Sequence, residues 1–211
     1  TNLDVVIEYS DGDLSLEQLT FRVPDKSTED PAIVGLVTGH AVMELVPRGK
    51  FTATLDAEGV PLAVFSSVFE ELLPVAGVLS GSLTAEADVN RLRDPTAWNV
   101  EGPVKVQQFT LNHSSPMEAG TQLELSEGVV TARGFNVQMQ ESQITGDATL
   151  SLLGRRNWSA EATVDFRDLG SVLRMVSRSL EIAGLQGISD ALSGALRGTA
   201  KLSGTLSPFS R

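Results

Sequence analysis

Trp158-Ser159-Ala160-Glu161-Ala162-Thr163-Val164-Asp165-Phe166 alternates without a break. Trp158, Ala160, Ala162, Val164 and Phe166 share one parity; Ser159, Glu161, Thr163 and Asp165 share the other, the period-2 signature of a strand with one apolar and one wetted face. At 158 − 51 = 107 residues upstream, Phe51-Thr52-Ala53-Thr54-Leu55-Asp56-Ala57 has the same form. The chain writes this strand twice, and the repetition spreads outward from it.

Leu125-Ser126-Glu127-Gly128 to Val137 matches Tyr9-Ser10-Asp11-Gly12 to Phe21 at 125 − 9 = 116, and Ile144-Thr145-Gly146 matches Val37-Thr38-Gly39 at 144 − 37 = 107. The difference is a polar loop, Val23 to Pro31, that only the first copy carries. Leu196-Arg197-Gly198 matches Leu79-Ser80-Gly81 at 196 − 79 = 117, after an insertion rich in Gly, Ser and Ala. The spacing predicts two internal repeats of about 110 residues, 3–95 and 120–208, within one elongated β-rich segment covering 1–211.

Strands are expected at Leu3–Tyr9, Leu14–Phe21, Ile33–Leu45, Phe51–Ala57, Leu79–Val89, Trp98–Val100, Val104–Leu111 and Leu123–Leu125, then through the second copy. Asp11-Gly12 between two alternating runs is a hairpin signal. The period changes in Pro61 to Ala76, where Leu62, Phe65, Phe69, Leu72 and Ala76 step by 3 and 4, predicting an amphipathic helix with Pro61 in its first turn and Gly77 behind it. A second helix is expected over Leu169, Val172, Val176 and Leu180, running towards Ala195. Short turns between successive strands imply an antiparallel meander. Two helices cannot cover one face of about a dozen strands, so that face must fold on itself, pack against a partner or hold a ligand.

Composition narrows the function. The 211 residues carry a net charge of −11, which argues against nucleic acid, whose backbone is held by Lys and Arg. Hydrophobic residues are 41% but aromatics only 5%, so the apolar face is built from Val, Leu and Ala. Cysteine is absent, excluding a disulfide framework and a thiolate metal site. No apolar run approaches the roughly 18 residues of a membrane-spanning helix. The chain starts without Met and ends within a repeated motif, and reads as a segment of a longer parent.

No enzymatic constellation emerges, and the chain is expected to be non-enzymatic, with no catalytic residues, cofactor or metal. His40 and His113 stand alone in strand-like settings, whereas a general base needs a positioned partner. Asp11-x-Asp13 opens like a calcium loop but lacks the glutamate at EF-hand spacing, so it reads as a turn. Gly184 to Gly194 follows a helix rather than a strand and reads as a connector.

Leu196 to Pro208, L-R-G-T-A-K-L-S-G-T-L-S-P, together with Leu79 to Pro95, resembles the recurring phrase of the AsmA/TamB family of bacterial envelope proteins. The turns at Ser10 to Leu14 and Ser126 to Val130, followed by Thr38-Gly39 and Thr145-Gly146, are similar to that family's repeat. The resemblance spans essentially the whole chain, although Glu86-Ala87-Asp88 stands where the second copy has L-S-G-T. It implies a mainly β fold with two helical segments, its elongated meander curled into a U-shaped, taco-like apolar trough. The implied function is lipid transfer in the cell envelope: an inner-membrane-anchored protein crosses the periplasm and shields phospholipid acyl chains on the way to the outer membrane. The implied partners are phospholipid, the inner and outer membranes, and outer-membrane assembly proteins. The alternative is a structural or assembly scaffold with no lipid cargo.

The residues expected to line the groove follow from strand parity. They are Phe51, Ala53, Leu55, Leu83, Ala85, Ala87, Val104, Val106, Phe135, Val137, Leu150, Leu152, Trp158, Ala160, Ala162 and Val164. Ala is disfavoured in strands, so its repeated use on one face keeps space there. Burial there would contribute about 0.8 kcal/mol per methylene, grip without head-group selectivity. The helices are expected to lie on the trough or cover an open edge. Arg174 and Arg178 give the second too small a basic edge to attract anionic lipid.

Overall fold

The structure is a computed structural model and describes residues 2–24, 34–45, 49–62, 75–111, 115–170, 172–173 and 194–205. Eleven strands form a single sheet in the order of the chain, β1 to β11. They are β1 (Asn2–Ser10), β2 (Asp13–Pro24), β3 (Val34–Glu44), β4 (Lys50–Pro61), β5 (Val75–Asp88), β6 (Trp98–Leu111), β7 (Met117–Ser126), β8 (Val129–Met139), β9 (Ser142–Ser151), β10 (Asn157–Phe166) and β11 (Leu196–Thr205). Every pairing is antiparallel and joins chain neighbours, and the sheet is not closed into a barrel.

Local chemistry explains the turns. Ser10 pairs Asp13 and Ser126 pairs Val129, leaving two-residue loops whose backbone must turn left-handed to match the twist of the strands. Asp11 and Gly12 have φ of 52° and 93°; Glu127 and Gly128 have 51° and 74°. Glycine tolerates this without a Cβ clash and aspartate tolerates it better than most residues.

Three expectations are corrected by the strand boundaries. Trp98–Val100 and Val104–Leu111 are one strand, β6, because Gly102 and Pro103 interrupt the hydrophobic pattern but not the backbone. Pro103 pairs Gln122, and Gly102 lies so close to β5 that an added Cβ would sit 1.9 Å from the Ser82 carbonyl oxygen. β7 begins at Met117, six residues earlier than its expected start at Leu123, since Ala119, Gly120 and Thr121 give little contrast between faces. Both ends of the expected first helix are strand. β4 resumes its pairing beyond Gly59 (φ 64°), placing Val60 opposite Leu79 and Pro61 opposite Val78, while Val75 and Ala76 pair Leu111 and Thr110. The interior of that helix, 63–74, lies outside the described residues, as do 25–31 of the expected loop, whose first residues Val23 and Pro24 belong to β2.

At the second expected helix, Leu169, Gly170, Val172 and Leu173 are helical, and the Val172 N–H donates to the Asp168 carbonyl at 3.2 Å. Residues 174–193 lie outside the described residues, taking with them Arg174, Arg178 and the Gly184–Gly194 connector up to its last residue.

Few of the described residues are enclosed. The chain's accessible surface is 13862 Å², against about 9,400 Å² expected of a compact protein of the same mass. Among the described residues the buried hydrophobic ones are Val60, Ala87, Met117, Met139 and Val172, few for so many strands. Val60, Met117 and Met139 gather at one end of the strands, where buried Ser142 accepts a hydrogen bond from the Arg167 N–H. Ala87 lies at the other end, between Phe51 and Trp98, whose rings meet edge-on at 5.6 Å.

Candidate functional site: a continuous apolar sheet face

Directly opposed residues in an antiparallel pair point to the same face, so register shows which side chains share a surface. From Trp158 the pairing runs through Leu150, Val130, Leu125, Val100, Ala85, Ala53, Ala41 and Leu16 to Ile7, and on the other side to Gly204. One unbroken apolar row therefore crosses all eleven strands. The next row runs from Leu202 through Ala160, Ala148, Ala132 and Leu123 to Gly102, and resumes on β5 with Leu83, Leu55, Gly39, Leu19 and Val5. Bulges occur in several pairings, including β1–β2, β4–β5 and β8–β9, yet each skips residues so that the apolar parity is preserved.

All the expected groove residues except Leu152 lie on this face. Phe51, Ala53 and Leu55 oppose Ala87, Ala85 and Leu83; Val104 and Val106 oppose Gly81 and Leu79. Phe135 opposes Gly146, which opposes Ala162, and Val137 opposes Ile144, which opposes Val164. Leu152 falls just past β9, where its N–H donates to the Gly128 carbonyl and its side chain is exposed. Ile7, Leu16, Val100, Leu125, Val130, Ile144 and Leu202 belong to the face and were not among the expected residues. Their parity within their own strands was the available signal.

In the central strands the face is buried at its two ends, at Met117 and Met139 and at Ala87, while towards the edges Tyr9 and Leu196 stand exposed at strand ends. Leu55, in a middle row, is 39% exposed and Leu202 is 59% exposed, whereas Met117 and Met139 at one end are buried. Small residues floor the second half of the open band: Ala132, Ala148, Ala160 and Ala162, with Gly146 between strands. Trp158 and Leu150 stand along one side of it, Val164 and Ile144 along the other.

The opposite face is polar. Lys50–Glu86 (3.1 Å), Lys105–Glu118 (3.7 Å), Arg133–Glu124 (2.6 Å) and Lys201–Glu161 (2.9 Å) are cross-strand ion pairs on it, and Arg197 pairs Asp165 there. Two open hollows lie on this side, one of about 540 Å³ lined by His40, Thr54, Thr84, Glu86, Glu101 and Glu124, the other of about 740 Å³ around Lys105, Gln122 and Asn136. His40 sits exposed in the first and makes no hydrogen bond or ion pair among the described residues. His113 lies outside the described residues.

One electrostatic feature fixes an end of the apolar face. After β5 the chain makes two 3-10 turns, Val89–Arg91 and Pro95–Ala97, before returning as β6. Asp94 accepts from the Thr96 hydroxyl at 2.7 Å, from the Arg91 guanidinium at 2.6 Å and from the Thr96 N–H at 2.9 Å. These hydrogen bonds, the Thr96 hydroxyl foremost, lower its pKa from 3.8 to about 2. The turn positions Trp98, whose indole N–H donates to the Leu92 carbonyl at 2.9 Å and whose ring packs on Phe51.

What the arrangement offers chemically, among the described residues, is apolar area in continuous rows. No family model, curated protein or solved structure matches this chain. The face itself must therefore carry the functional reading.

Proposed function

We propose that this chain is a non-enzymatic segment of a lipid-transfer protein of the bacterial envelope, whose apolar sheet face shields phospholipid acyl chains between inner and outer membrane. The observation that carries the reading is the unbroken apolar row across the eleven described strands, only half-buried along its length. Leaving so much apolar area in water costs about 25 cal/mol per Å², a cost that an acyl chain on the face removes. The Ala and Gly floor between bulkier rows leaves room for such a chain across the strands.

In this reading the sheet curls into the U-shaped trough that the AsmA/TamB resemblance implies, with the apolar face inside. The two-repeat organisation belongs to the same proposal. Supporting it, Asp11 and Glu127, 127 − 11 = 116 apart, have nearly the same positive φ, as do Gly49 (56°) and Arg156 (50°), 156 − 49 = 107 apart. The proposed setting is the periplasm, within an inner-membrane-anchored parent, with outer-membrane assembly proteins as further partners.

The test is photo-crosslinking in the parent protein in its own cells, with a photoreactive residue at Ala160 or at Glu161. Their side chains leave opposite faces of β10. Phospholipid adducts at 160 and not at 161 are the expected result. Protein adducts at 160 without lipid would overturn the conduit reading and leave an assembly scaffold.

A further inference from the structure

The turns that join β1 to β2, β3 to β4, β5 to β6, β7 to β8 and β9 to β10 all lie at one end of the strands. The last of them departs from the sheet's pattern, in which apolar and charged side chains keep to opposite faces. Leu152 and Leu153 are 37% and 42% exposed, and Arg155 and Arg156 beside them are exposed and make no side-chain hydrogen bond or ion pair among the described residues. β9 and β10 are each paired on both sides, so this hairpin tip does not depend on what adjoins the sheet. Its shape is fixed from within. The Leu152 N–H donates to the Gly128 carbonyl at 2.8 Å, the Leu153 N–H to the Ser151 hydroxyl at 3.2 Å, and the Arg156 N–H to the Leu153 carbonyl at 3.2 Å. The Leu153 side chain lies over Gly128, where an added Cβ would meet its Cδ1 at 3.0 Å.

Arg156 has φ 50°, in the left-handed region where Gly or Asn is the easier choice. At 156 − 49 = 107 residues upstream the same conformation is held by Gly49 (56°), in a turn whose Leu45 N–H donates to the Gly12 carbonyl at 3.0 Å, as Leu152 does to Gly128. Leu45 is exposed too. The two tips share this backbone and an exposed leucine, but the second places an unpaired cation where glycine sits without strain. Strain held at an exposed residue with no partner points to a function there.

We propose that the β9–β10 tip docks on the surface of a bilayer carrying anionic phospholipid, with Leu152 and Leu153 in the interface and Arg155 and Arg156 on lipid phosphates. Arginine's long stem lets its guanidinium reach a phosphate while neighbouring apolar side chains sink below it. Charge alone holds a membrane weakly, each basic residue near the surface being worth roughly fivefold in binding, and the leucine pair supplies the second contribution. The net charge of −11 does not set the sign at this tip. Asp11, Asp13 and Glu44 lie six or more strands from β9 along the sheet, roughly 29 Å at about 4.8 Å per strand, and the screening length at physiological salt is about 8 Å. Asp88 and Asp94, in the β5–β6 turn, are engaged by Asn90 and by Arg91 and Thr96. Glu127, exposed on the neighbouring tip, offsets one of the two arginines. A protein partner fits less well, because a short convex tip cannot furnish the roughly 800 Å² per partner of a stable interface, whereas a bilayer needs no shape match. The proposal holds whether or not the apolar face carries lipid.

The test is co-sedimentation of the 211-residue chain with sucrose-loaded vesicles of phosphatidylcholine alone or of equal parts phosphatidylcholine and phosphatidylglycerol, with far-UV circular dichroism to confirm folding. The chain is expected to bind the mixed vesicles more tightly, and the preference to vanish as salt is raised from about 0.01 M to about 1 M, where the screening length shrinks from about 30 Å to about 3 Å. Arg155→Gln/Arg156→Gln removes no hydrogen bond or ion pair of the described residues and is expected to weaken binding to mixed vesicles about 25-fold. Arg155→Lys/Arg156→Lys is expected to keep it, and Leu152→Ser to weaken it several-fold. A chain that binds neither vesicle, or whose Arg155→Gln/Arg156→Gln variant binds mixed vesicles as the wild type does, would overturn the proposal. The second of these outcomes places lipid contact on the apolar face, so the acyl-chain reading survives it. A photoreactive residue at Arg155 in the parent protein that gives protein adducts and no lipid adducts would overturn the proposal in favour of a protein partner.

Discussion

Two residues show how narrowly local chemistry supports the sheet. A Cβ added at Gly146 would lie 2.1 Å from the Glu161 carbonyl oxygen and 2.8 Å from the Ala162 Cα, so the β9–β10 backbones must part to accept it. Gly198, on the same face of β11, has open space there. Gly146→Ala is expected to lower unfolding free energy by about 1–3 kcal/mol, as overpacking does, and Gly198→Ala to change it by less than about 0.5 kcal/mol. Urea unfolding midpoints measure both. At Asp94 the expected readout is pH. Because its folded pKa is depressed, the hydrogen bonds to Thr96 and Arg91 stabilise the turn fully above the ordinary value of 3.8 and are lost as pH falls towards 2. Carboxyl-carbon NMR should show Asp94 titrating at about 2. In a Trp158→Phe background, Asp94→Ala should red-shift the emission of Trp98 at neutral pH, the turn having lost its acceptor.

At the scale of elements, the hairpin turns are the clearest lever. Glu127 occupies a left-handed position that costs an ordinary L-residue roughly 1–2 kcal/mol, a cost Asn bears more easily. Glu127→Asn is expected to stabilise the chain by up to about 1 kcal/mol, and Gly128→Ala to destabilise it, both measurable by thermal unfolding. Strands were legible in the sequence where hydrophobic and polar residues alternate sharply, as in β10, because a two-faced sheet writes its period directly. They were not legible where Gly102-Pro103 breaks the pattern, or along Ala119 to Thr121, where small residues blur the faces. The step of 3 and 4 in Pro61 to Ala76 predicted helix, yet Pro61 and Ala76 are drawn into β4 and β5 by cross-strand partners. Pairing with an existing neighbour outweighs local period at the ends of a strand. The groove residues were legible as parity within each strand; that the rows connect across strands depends on register, and bulges set register beyond the reach of a one-dimensional pattern.

At the scale of the molecule, the described residues form one open sheet whose ladders are doubled everywhere except at its outermost strands. Among the described residues, β1 and β11 each have one pairing neighbour, while every other strand has two. Amide hydrogen exchange is accordingly expected to be slowest in β5 to β8 and fastest in β1 and β11, a gradient that a closed barrel would lack. Peptide-level exchange read by mass spectrometry resolves it. Since no strand waits for a partner distant in sequence, each hairpin can lock as soon as its second arm leaves the ribosome or an export channel. The sheet can therefore be knitted from its first strand onward while the rest is still being threaded, and its long apolar face need never be exposed all at once in an unfolded chain.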